Sequence, residues 1–248
     1  MWRCAGAQVV GASHERSSKP CQDSMAYEVL DGTVFLAVIA DGAGSASHAE
    51  LGSRCVVDTV INETRILLTQ GDCNLRDILR TAITAARESL VRLAADIGIA
   101  LRELSTTVLA VLIGPHDGIA MQVGDGLIAV SEEPSDWIWV IWPQHGEFIN
   151  TTTFLTDDEA IAKMEEAPLG PSVMDISICS DGLENLALNY SERIAHSPFF
   201  AALLKELHPL HEVDELSALS NQLRDFIGSD RIRSRSDDDI SIIIATRR

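Results

Sequence analysis

Residues 34–40 form an unbroken apolar run, Val-Phe-Leu-Ala-Val-Ile-Ala, that leads directly into Asp41-Gly42. A strand with one face in water alternates polar and apolar residues, whereas an unbroken run of this length is typical of a strand buried on both faces. The glycine that follows allows a sharp turn or a close approach of the backbone to a ligand. The pattern therefore predicts a buried strand with a carboxylate at the edge of its sheet.

Acidic residues stand at three further strand ends. Asp125 and Asp181 each follow a largely apolar segment and precede a glycine, and Asp238 stands just before the largely apolar segment 240–245. Carboxylates gathered at one edge of a sheet repel one another unless a cation lies between them. Mg²⁺ and Mn²⁺ prefer oxygen ligands of this kind. The recurrence predicts a site for a divalent metal ion.

A second interpretation of these pairs is that they are turns. Asp-Gly is a favoured pair in tight hairpins, and we expect Asp31-Gly32 and Asp117-Gly118 to form only such turns. On spacing alone, the metal-site interpretation and the hairpin interpretation both stay open.

Composition limits the classes of partner. The chain has 248 residues and no Pro/Gly-rich linker, so we expect a single domain over residues 1–248. Its 37 acidic and 19 basic residues give a formal charge of −18, which argues against nucleic acid or an anionic membrane as a partner. The five scattered cysteines contain no Cys-x-x-Cys pair, and no signal-peptide or membrane-spanning pattern is present. We expect a soluble cytoplasmic protein.

Periodicity predicts antiparallel sheets with helices on their faces. Helical spacing of apolar residues covers about 47–68, and a clearer helix runs from a cap at Asn74 to Gly98. Short strands with turn signals follow. Two amphipathic helices are predicted at 192–209 and 212–227. Segments predicted with less regular structure are a polar stretch at 11–19, a turn and strand at 146–154, a short helix or loop at 157–166, and a loop at 228–236.

Taken in order, the motifs resemble those of the metal-dependent serine/threonine protein phosphatases of type 2C. The matching segments are Gln22-Asp23, Asp41-Gly42, Ser105-Thr106-Thr107, Val123-Gly124-Asp125, Ser180-Asp181-Gly182 and Asp238-Asp239-Ile240-Ser241. The stretch Gly11-Ala12-Ser13-His14 is most similar to a small bacterial branch of that family. The resemblance extends over nearly the whole chain.

The resemblance implies a fold, a cofactor and an activity. The fold would be α+β, a four-layer α-β-β-α sandwich of two antiparallel sheets flanked by helices. The site would hold two Mn²⁺ or Mg²⁺ ions, with a third and weaker ion in bacterial members. The reaction would be hydrolysis of phosphoserine or phosphothreonine in proteins by a hydroxide shared between the metal ions, and the partners would be a phosphoprotein and a serine/threonine kinase.

The resemblance also assigns residues. Asp41 would bridge two ions, and the carbonyl of Gly42 would bind one of them. The remaining assignments are Asp181 and Asp238 as ligands that share the catalytic role of Asp41, Asp23 as a direct or water-mediated ligand, and Asp125 with Asp181 at the third ion.

Two positions depart from the family pattern. Ser18 stands where many members have a phosphate-gripping arginine, so Arg16, Lys19 and His14 become candidates for substrate contact. Ala43 replaces a histidine that follows the central Asp-Gly in some members. These departures leave open a second function, a catalytically weak module that binds a phosphoprotein or a kinase.

Three arginines close to the last acidic cluster allow two interpretations. Arg231, Arg233 and Arg235 lie in the segment predicted as a loop. They would either attract an acidic phosphoprotein or belong to an ordinary solvated loop.

Overall fold

The computed structural model describes residues 1–71, 74–133, 136–143 and 152–248. The strands in these ranges are β1 (Arg3–Val9), β2 (Ser24–Leu30), β3 (Val34–Ala40), β4 (Val108–Ile113), β5 (Gly118–Val123), β6 (Leu127–Ser131), β7 (Trp137–Ile141), β8 (Glu165–Leu169), β9 (Asp175–Cys179), β10 (Leu188–Asn189), β11 (Ile194–Ala195) and β12 (Ile240–Thr246). The α-helices there are α1 (Ala12–Ser17), α2 (Ala49–Gln70), α3 (Leu75–Ile97), α4 (Ala160–Lys163), α5 (Glu184–Ala187), α6 (Ser197–Leu207), α7 (Val213–Ile227) and α8 (Asp230–Arg233). Short 3₁₀ turns cover Leu101–Leu104 and Asp181–Leu183.

Two five-stranded antiparallel sheets form the centre of the fold. Sheet I has the order β1-β12-β9-β6-β7, and sheet II has the order β2-β3-β4-β5-β8. Apolar side chains of the two sheets meet in one buried core, α2 and α3 cover the outer face of sheet II, and α6 and α7 cover sheet I. This arrangement confirms the expected α-β-β-α sandwich.

The pleat of β3 explains why its sequence is apolar throughout. Phe35, Ala37 and Ile39 point into the core between the sheets, whereas Leu36 and Val38 point into the core beneath α2 and α3. Successive side chains of a strand point to opposite faces, so a strand between two cores has no polar position. The buried strand predicted from residues 34–40 is confirmed.

The predicted long helices are present. Asn74 caps α3 by accepting a hydrogen bond from the Asp77 backbone N–H at 2.9 Å, and Gly98 ends that helix with φ of 74°. The helix predicted at 192–209 is shorter, because residues 188–195 form the small β10-β11 hairpin before α6 begins. Within the described ranges, no helix combines the length and apolar character that crossing a membrane would require.

Several short elements were not apparent from periodicity. The polar stretch 11–19 contains α1, which ends where Ser18 adopts φ of 54°, and the expected loop 228–236 contains α8. The short helix predicted as one alternative for 157–166 is present as α4, whereas the entry of this segment into β8 was not predicted. Pro168 is tolerated in β8 because this strand lies at the edge of sheet II. Most of the turn and strand predicted at 146–154 lies outside the described residues, and 152–154 are not in a strand.

Gly52 lets α2 approach the 3₁₀ turn at Leu101–Leu104, and its replacement by alanine is expected to be destabilising. A Cβ atom at Gly52 would lie 2.2 Å from the Leu104 carbonyl oxygen. The steric cost of about 1–3 kcal/mol exceeds the helix-propensity gain of about 1 kcal/mol, because backbone atoms cannot yield as a flexible side chain can. Thermal denaturation should show a lower Tm for Gly52→Ala. Gly44→Ala is the control, since a Cβ there meets no atom within 4 Å.

Candidate metal centre

Five aspartates converge at one end of the sandwich, where the two sheets face each other. Asp23 precedes β2 and Asp41 follows β3, and the pairing of Ser24 with Ala40 brings these two acids to the same end of sheet II. The other three acids flank strands of sheet I, where Asp125 precedes β6, Asp181 follows β9 and Asp238 precedes β12. Leu127 and Cys179 are register partners, so Asp125 and Asp181 lie at the same end of neighbouring strands. The sheet registers thus assemble the acids that the sequence placed at strand ends.

The buried acids oppose one another's ionisation. Burial and the negative charges of Asp239 and Asp238 raise the pKa of Asp23 to about 7, against the opposing effect of the Ser241 and Ser180 hydroxyls. Burial also raises the pKa of Asp181 to about 8, with added repulsion from Asp125 and Asp238. The pKa of Asp41 is raised well above its ordinary value, first by burial and then by Asp23, Asp181, Asp238 and Asp125. A divalent cation among these groups would remove the repulsion.

Unpaired oxygen atoms show that the cluster suits a cation. Within the described part of the chain, both carboxylate oxygens of Asp23 and the Oδ1 atom of Asp181 are buried and lack a hydrogen bond of normal geometry, although the Ser241 and Ser180 hydroxyls lie close enough to Asp23 to lower its pKa. A buried polar atom without a partner carries a free-energy cost, and most such atoms in folded proteins are hydrogen-bonded. Convergent carboxylate oxygens whose hydrogen bonding is incomplete are the ligand type that Mg²⁺ and Mn²⁺ bind. The residues present therefore fit a divalent metal ion.

The backbone of Asp41 is held by the two threonines that precede β4. The Asp41 N–H donates to the Thr107 hydroxyl at 3.0 Å, and the Asp41 carbonyl accepts from the Thr106 hydroxyl and the Thr107 N–H at 2.8 Å each. The adjacent Gly42 is closely packed, since a Cβ atom there would lie 2.7 Å from the Gln22 carbonyl oxygen. These contacts fix the Asp41 backbone without using its carboxylate.

Asp239 connects the chain segments that surround Asp23. Its carboxylate accepts hydrogen bonds from the Gly11 N–H at 2.6 Å and the Gln22 N–H at 2.5 Å. The His14 Nδ1 atom lies 2.9 Å from the second carboxylate oxygen, and both side chains are buried. Asp239 therefore positions the residue next to Asp23 and the loop before α1. Sequence reasoning gave Asp239 only a place in a motif, because its partners are distant in the chain.

The candidate substrate-contact residues lie in different surroundings. His14 faces Asp239, and an oxygen of Asp238 lies within 4.8 Å of both, so these three side chains could also hold a metal ion. The Asp239 carboxylate, however, already accepts hydrogen bonds from two backbone N–H groups. Arg16 forms an exposed ion pair with Asp237 at 3.1 Å. Lys19 donates to the carbonyl of Gly44 at 3.3 Å, which places its ammonium group on the loop after Asp41-Gly42.

Glu184 is a buried acid beside the cluster that sequence reasoning missed. Its carboxylate accepts a hydrogen bond from the Gly126 N–H at 2.7 Å and another from the Tyr190 hydroxyl. Gly124 and Gly126 have φ of 101° and 95°, so the turn that carries Asp125 has a conformation that favours glycine. Glu184 holds that turn in place. The position of Glu184 shortly after the motif Ser180-Asp181-Gly182 indicated that it lies near the site. Its role could not be predicted, because that role depends on the β10-β11 hairpin, which brings Tyr190 into contact with it.

The metal-free protein is expected to lose stability as the pH rises from about 4 to about 8. The folded-state pKa values of Asp23 and Asp181, about 7 and about 8, lie above the unfolded value of about 4, so the folded state binds more protons in this interval. Stability is therefore highest below the unfolded pKa and falls as these groups ionise. Melting curves with a chelator should show this decline more strongly for the wild type than for Asp181→Asn. An equal pH slope for both proteins would contradict the assignment.

Sequence comparison connects these features to characterised proteins. The profile of the protein phosphatase 2C family matches residues 10–228. The chain is 29% identical over 249 residues to serine/threonine-protein phosphatase 3 of Escherichia coli strain K12, and the match covers 98% of each protein.

Solved structures share the fold. The serine/threonine phosphatase Stp1 from Staphylococcus aureus superposes with a TM-score of 0.66 at 16% identity, over 100% of this chain and 96% of Stp1. The catalytic domain of the phosphatase PstP, in complex with 2 manganese ions, gives a TM-score of 0.66 at 16% identity, over 99% of this chain and 97% of the other. RsbX in complex with magnesium gives 0.57 at 15% identity, over 99% and 94% of the two chains.

Proposed function

The chain belongs to the protein phosphatase 2C family, and on that premise we propose that it hydrolyses phosphoserine and phosphothreonine in proteins with Mn²⁺ or Mg²⁺ bound at the five-aspartate centre. The observation that carries the proposal is the set of buried carboxylate oxygens that lack a hydrogen bond of normal geometry in the described chain. The proximity of the Asp23 and Asp41 carboxylates of sheet II to Asp181 of sheet I supports a site for cations over a set of unrelated turns. The metal ions named for PstP and RsbX support the choice of ions.

Each acid would have a defined role at the centre. Asp41 would bridge two ions, and the Gly42 carbonyl would bind one of them. Asp181 and Asp238 would complete the ligands of the other ion, and Asp23 would bind directly or through water. Asp125, held through Glu184, would join Asp181 at a third ion. When bound, the ions would supply an activated water as nucleophile and neutralise charge on the phosphoryl group.

The protein's own residues prepare that chemistry. Thr106 and Thr107 hold the Asp41 backbone, and Asp239 holds the segments on either side of the site. Cys21 is close to the centre, but burial and the charges of Asp23 and Asp239 raise the pKa of its thiol, which disfavours the thiolate that a nucleophilic cysteine needs. Lys19 is well placed to orient a substrate phosphate as a point charge, because it already reaches the loop after Asp41-Gly42. The substrates would be products of a serine/threonine kinase.

Hydrolysis assays test this function. The substrates are p-nitrophenyl phosphate and a phosphothreonine peptide, each with Mn²⁺, with Mg²⁺ and with a chelator. We expect turnover that requires metal and that is lost in Asp181→Asn. Asp117→Asn is the matched control, because this aspartate also precedes a glycine but is exposed at the turn before β5.

The hydrolysis assay, combined with a measurement of Tm with and without Mn²⁺, distinguishes the second function from the first. If the wild type shows no turnover while Mn²⁺ still raises its Tm, that result supports the second function, a catalytically weak module of the phosphatase fold that binds a phosphoprotein or a kinase. If Mn²⁺ changes neither turnover nor Tm, the metal-site proposal itself is wrong.

A further inference from the structure

A cavity of about 690 Å³ lies between α6 and α7 on the outer side of sheet I. Half-buried apolar side chains line it from three helices, namely Leu186 of α5, Phe199 of α6 and Phe226 of α7. Its volume falls in the range of about 300–1,000 Å³ that is typical of ligand pockets. None of the five aspartates lines this cavity, so it is separate from the metal centre.

Two cations without partners stand at this cavity. Arg231 and Arg235 both line it, and both side chains are exposed. Within the described part of the chain, neither guanidinium group forms a hydrogen bond or an ion pair, and the hydrogen bonds of these residues are made by their backbones. Arg233, which lies between them in sequence, instead pairs with Glu15. Glu206 also lines the cavity, so the local balance is two cations to one anion. In a chain with a net charge of −18, this local positive excess favours an acidic ligand.

Chain connectivity places the cavity beside the metal centre. Arg235 is three residues before Asp238, and three residues span at most about 11 Å. Asn185 also lines the cavity and follows Asp181 by four residues, through a 3₁₀ turn and the start of α5. At a rise of about 1.5–2 Å per residue, these four residues cover about 6–8 Å. An extended peptide of about five residues, roughly 17 Å long, therefore reaches from one site to the other.

We propose that this cavity docks a segment of the phosphoprotein substrate that lies about four to eight residues from the phosphorylated residue and combines apolar side chains with carboxylates. The proposal rests on the proposed phosphatase function. Apolar side chains of the segment would pack on Leu186, Phe199 and Phe226, and its carboxylates would pair with Arg231 and Arg235. Docking of this kind selects substrates through KM and leaves the chemistry at the metal ions as it is.

Peptide kinetics test the docking. Two phosphothreonine peptides carry two leucines and two glutamates about four to eight residues from the phosphothreonine, one on its N-terminal side and the other on its C-terminal side. In the matched peptides, glutamine replaces both glutamates. For each protein, kcat/KM for the better acidic peptide is divided by kcat/KM for p-nitrophenyl phosphate. We expect this ratio to be at least tenfold lower for the double variant Arg231→Glu/Arg235→Glu than for the wild type. The matched control is Arg54→Glu, since Arg54 is exposed on α2 and also has no partner within the described ranges.

Binding measurements separate failure of docking from failure of catalysis. Fluorescence anisotropy of the unphosphorylated acidic peptide, in the presence of a chelator, should show binding that Ala202→Trp abolishes, because Ala202 lines the cavity and a larger side chain would fill it. Such binding without any wild-type turnover would support the docking site and overturn only the phosphatase function. Equal kcat/KM values for the glutamate and glutamine peptides would overturn the proposal. Dimerisation in sedimentation velocity that Ala202→Trp abolishes would also overturn it, since a second copy would then occupy the cavity.

Discussion

Asp41→Asn is expected to lower phosphatase turnover by at least about a thousandfold and, at the same time, to raise the Tm of the metal-free protein. The loss of turnover follows from the proposed role of Asp41, because an amide cannot replace a carboxylate that bridges two cations, and an effect of about 4 kcal/mol on the barrier is about a thousandfold in rate. The gain in stability follows because burial and four neighbouring acids raise the pKa of Asp41, so the folded metal-free protein holds this carboxyl group at a cost. Activity and stability should therefore change in opposite directions.

Two measurements check this result. Melting curves with a chelator at pH 7.5 should place Asp41→Asn at least about 2 °C above the wild type, which for a chain of this size corresponds to about 1 kcal/mol. Addition of Mn²⁺ should raise the Tm of the wild type far more than that of the variant. Asp31→Asn is the matched control, because Asp31 also precedes a glycine but lies in the exposed β2-β3 turn with φ of 47°. A variant that loses activity and also melts below the wild type without metal would show that Asp41 is structural.

Asp239→Ala is expected to destabilise the fold by about 3–5 kcal/mol and to weaken metal binding. The substitution leaves the Gly11 and Gln22 N–H groups and the His14 ring without their shared acceptor. Removing one partner from a buried, charge-assisted network carries a cost of this size. Because Gln22 adjoins Asp23, the loss should also displace a metal ligand. Calorimetry should show a Tm lower by about 10 °C and a smaller Mn²⁺-induced shift.

Neighbouring variants show whether Asp239 acts through its hydrogen bonds. Asp239→Asn retains one acceptor oxygen and should recover part of the lost stability. Asp237→Ala removes an exposed carboxylate two positions away whose pair with Arg16 is also exposed, so a change of at most about 1 kcal/mol is expected. Equal destabilisation by Asp239→Ala and Asp237→Ala would contradict the positioning role of Asp239.

The sequence predicted those features that local pattern determines. The apolar run of β3 has no polar position because the strand lies between two cores, and Asn74 caps α3 through a residue three positions away. The acids at strand ends were visible for the same reason, since each adjoins a strong apolar segment. Their convergence required the register of both sheets, which the order of the family motifs implied.

Features that depend on distant contacts could not be predicted from the sequence. Asp239 contacts Gly11 and Gln22 across more than 200 positions, and no local pattern encodes such pairs. Glu184 supports the Asp125 turn only because the β10-β11 hairpin returns Tyr190 to it. The short helix α1 was missed because six mostly polar residues carry no apolar stripe, and its stability comes from tertiary contacts.

Because the five acids are divided between two sheets, ion binding at the proposed centre would depend on how the two sheets pack against each other. Asp23 and Asp41 belong to sheet II, whereas Asp181 and Asp238 belong to sheet I, and the apolar core between the sheets sets their separation. Coupling between two equilibria is reciprocal. If ion binding favours close packing of the two sheets, then any interaction that favours the same packing increases the affinity for the ion. Ile178 is buried in that core, so its packing would influence the affinity of the site for metal ions although it is not one of the proposed ligands. Substitutions that loosen the core between the sheets would therefore lower the affinity of the proposed centre for metal ions before they unfold the protein.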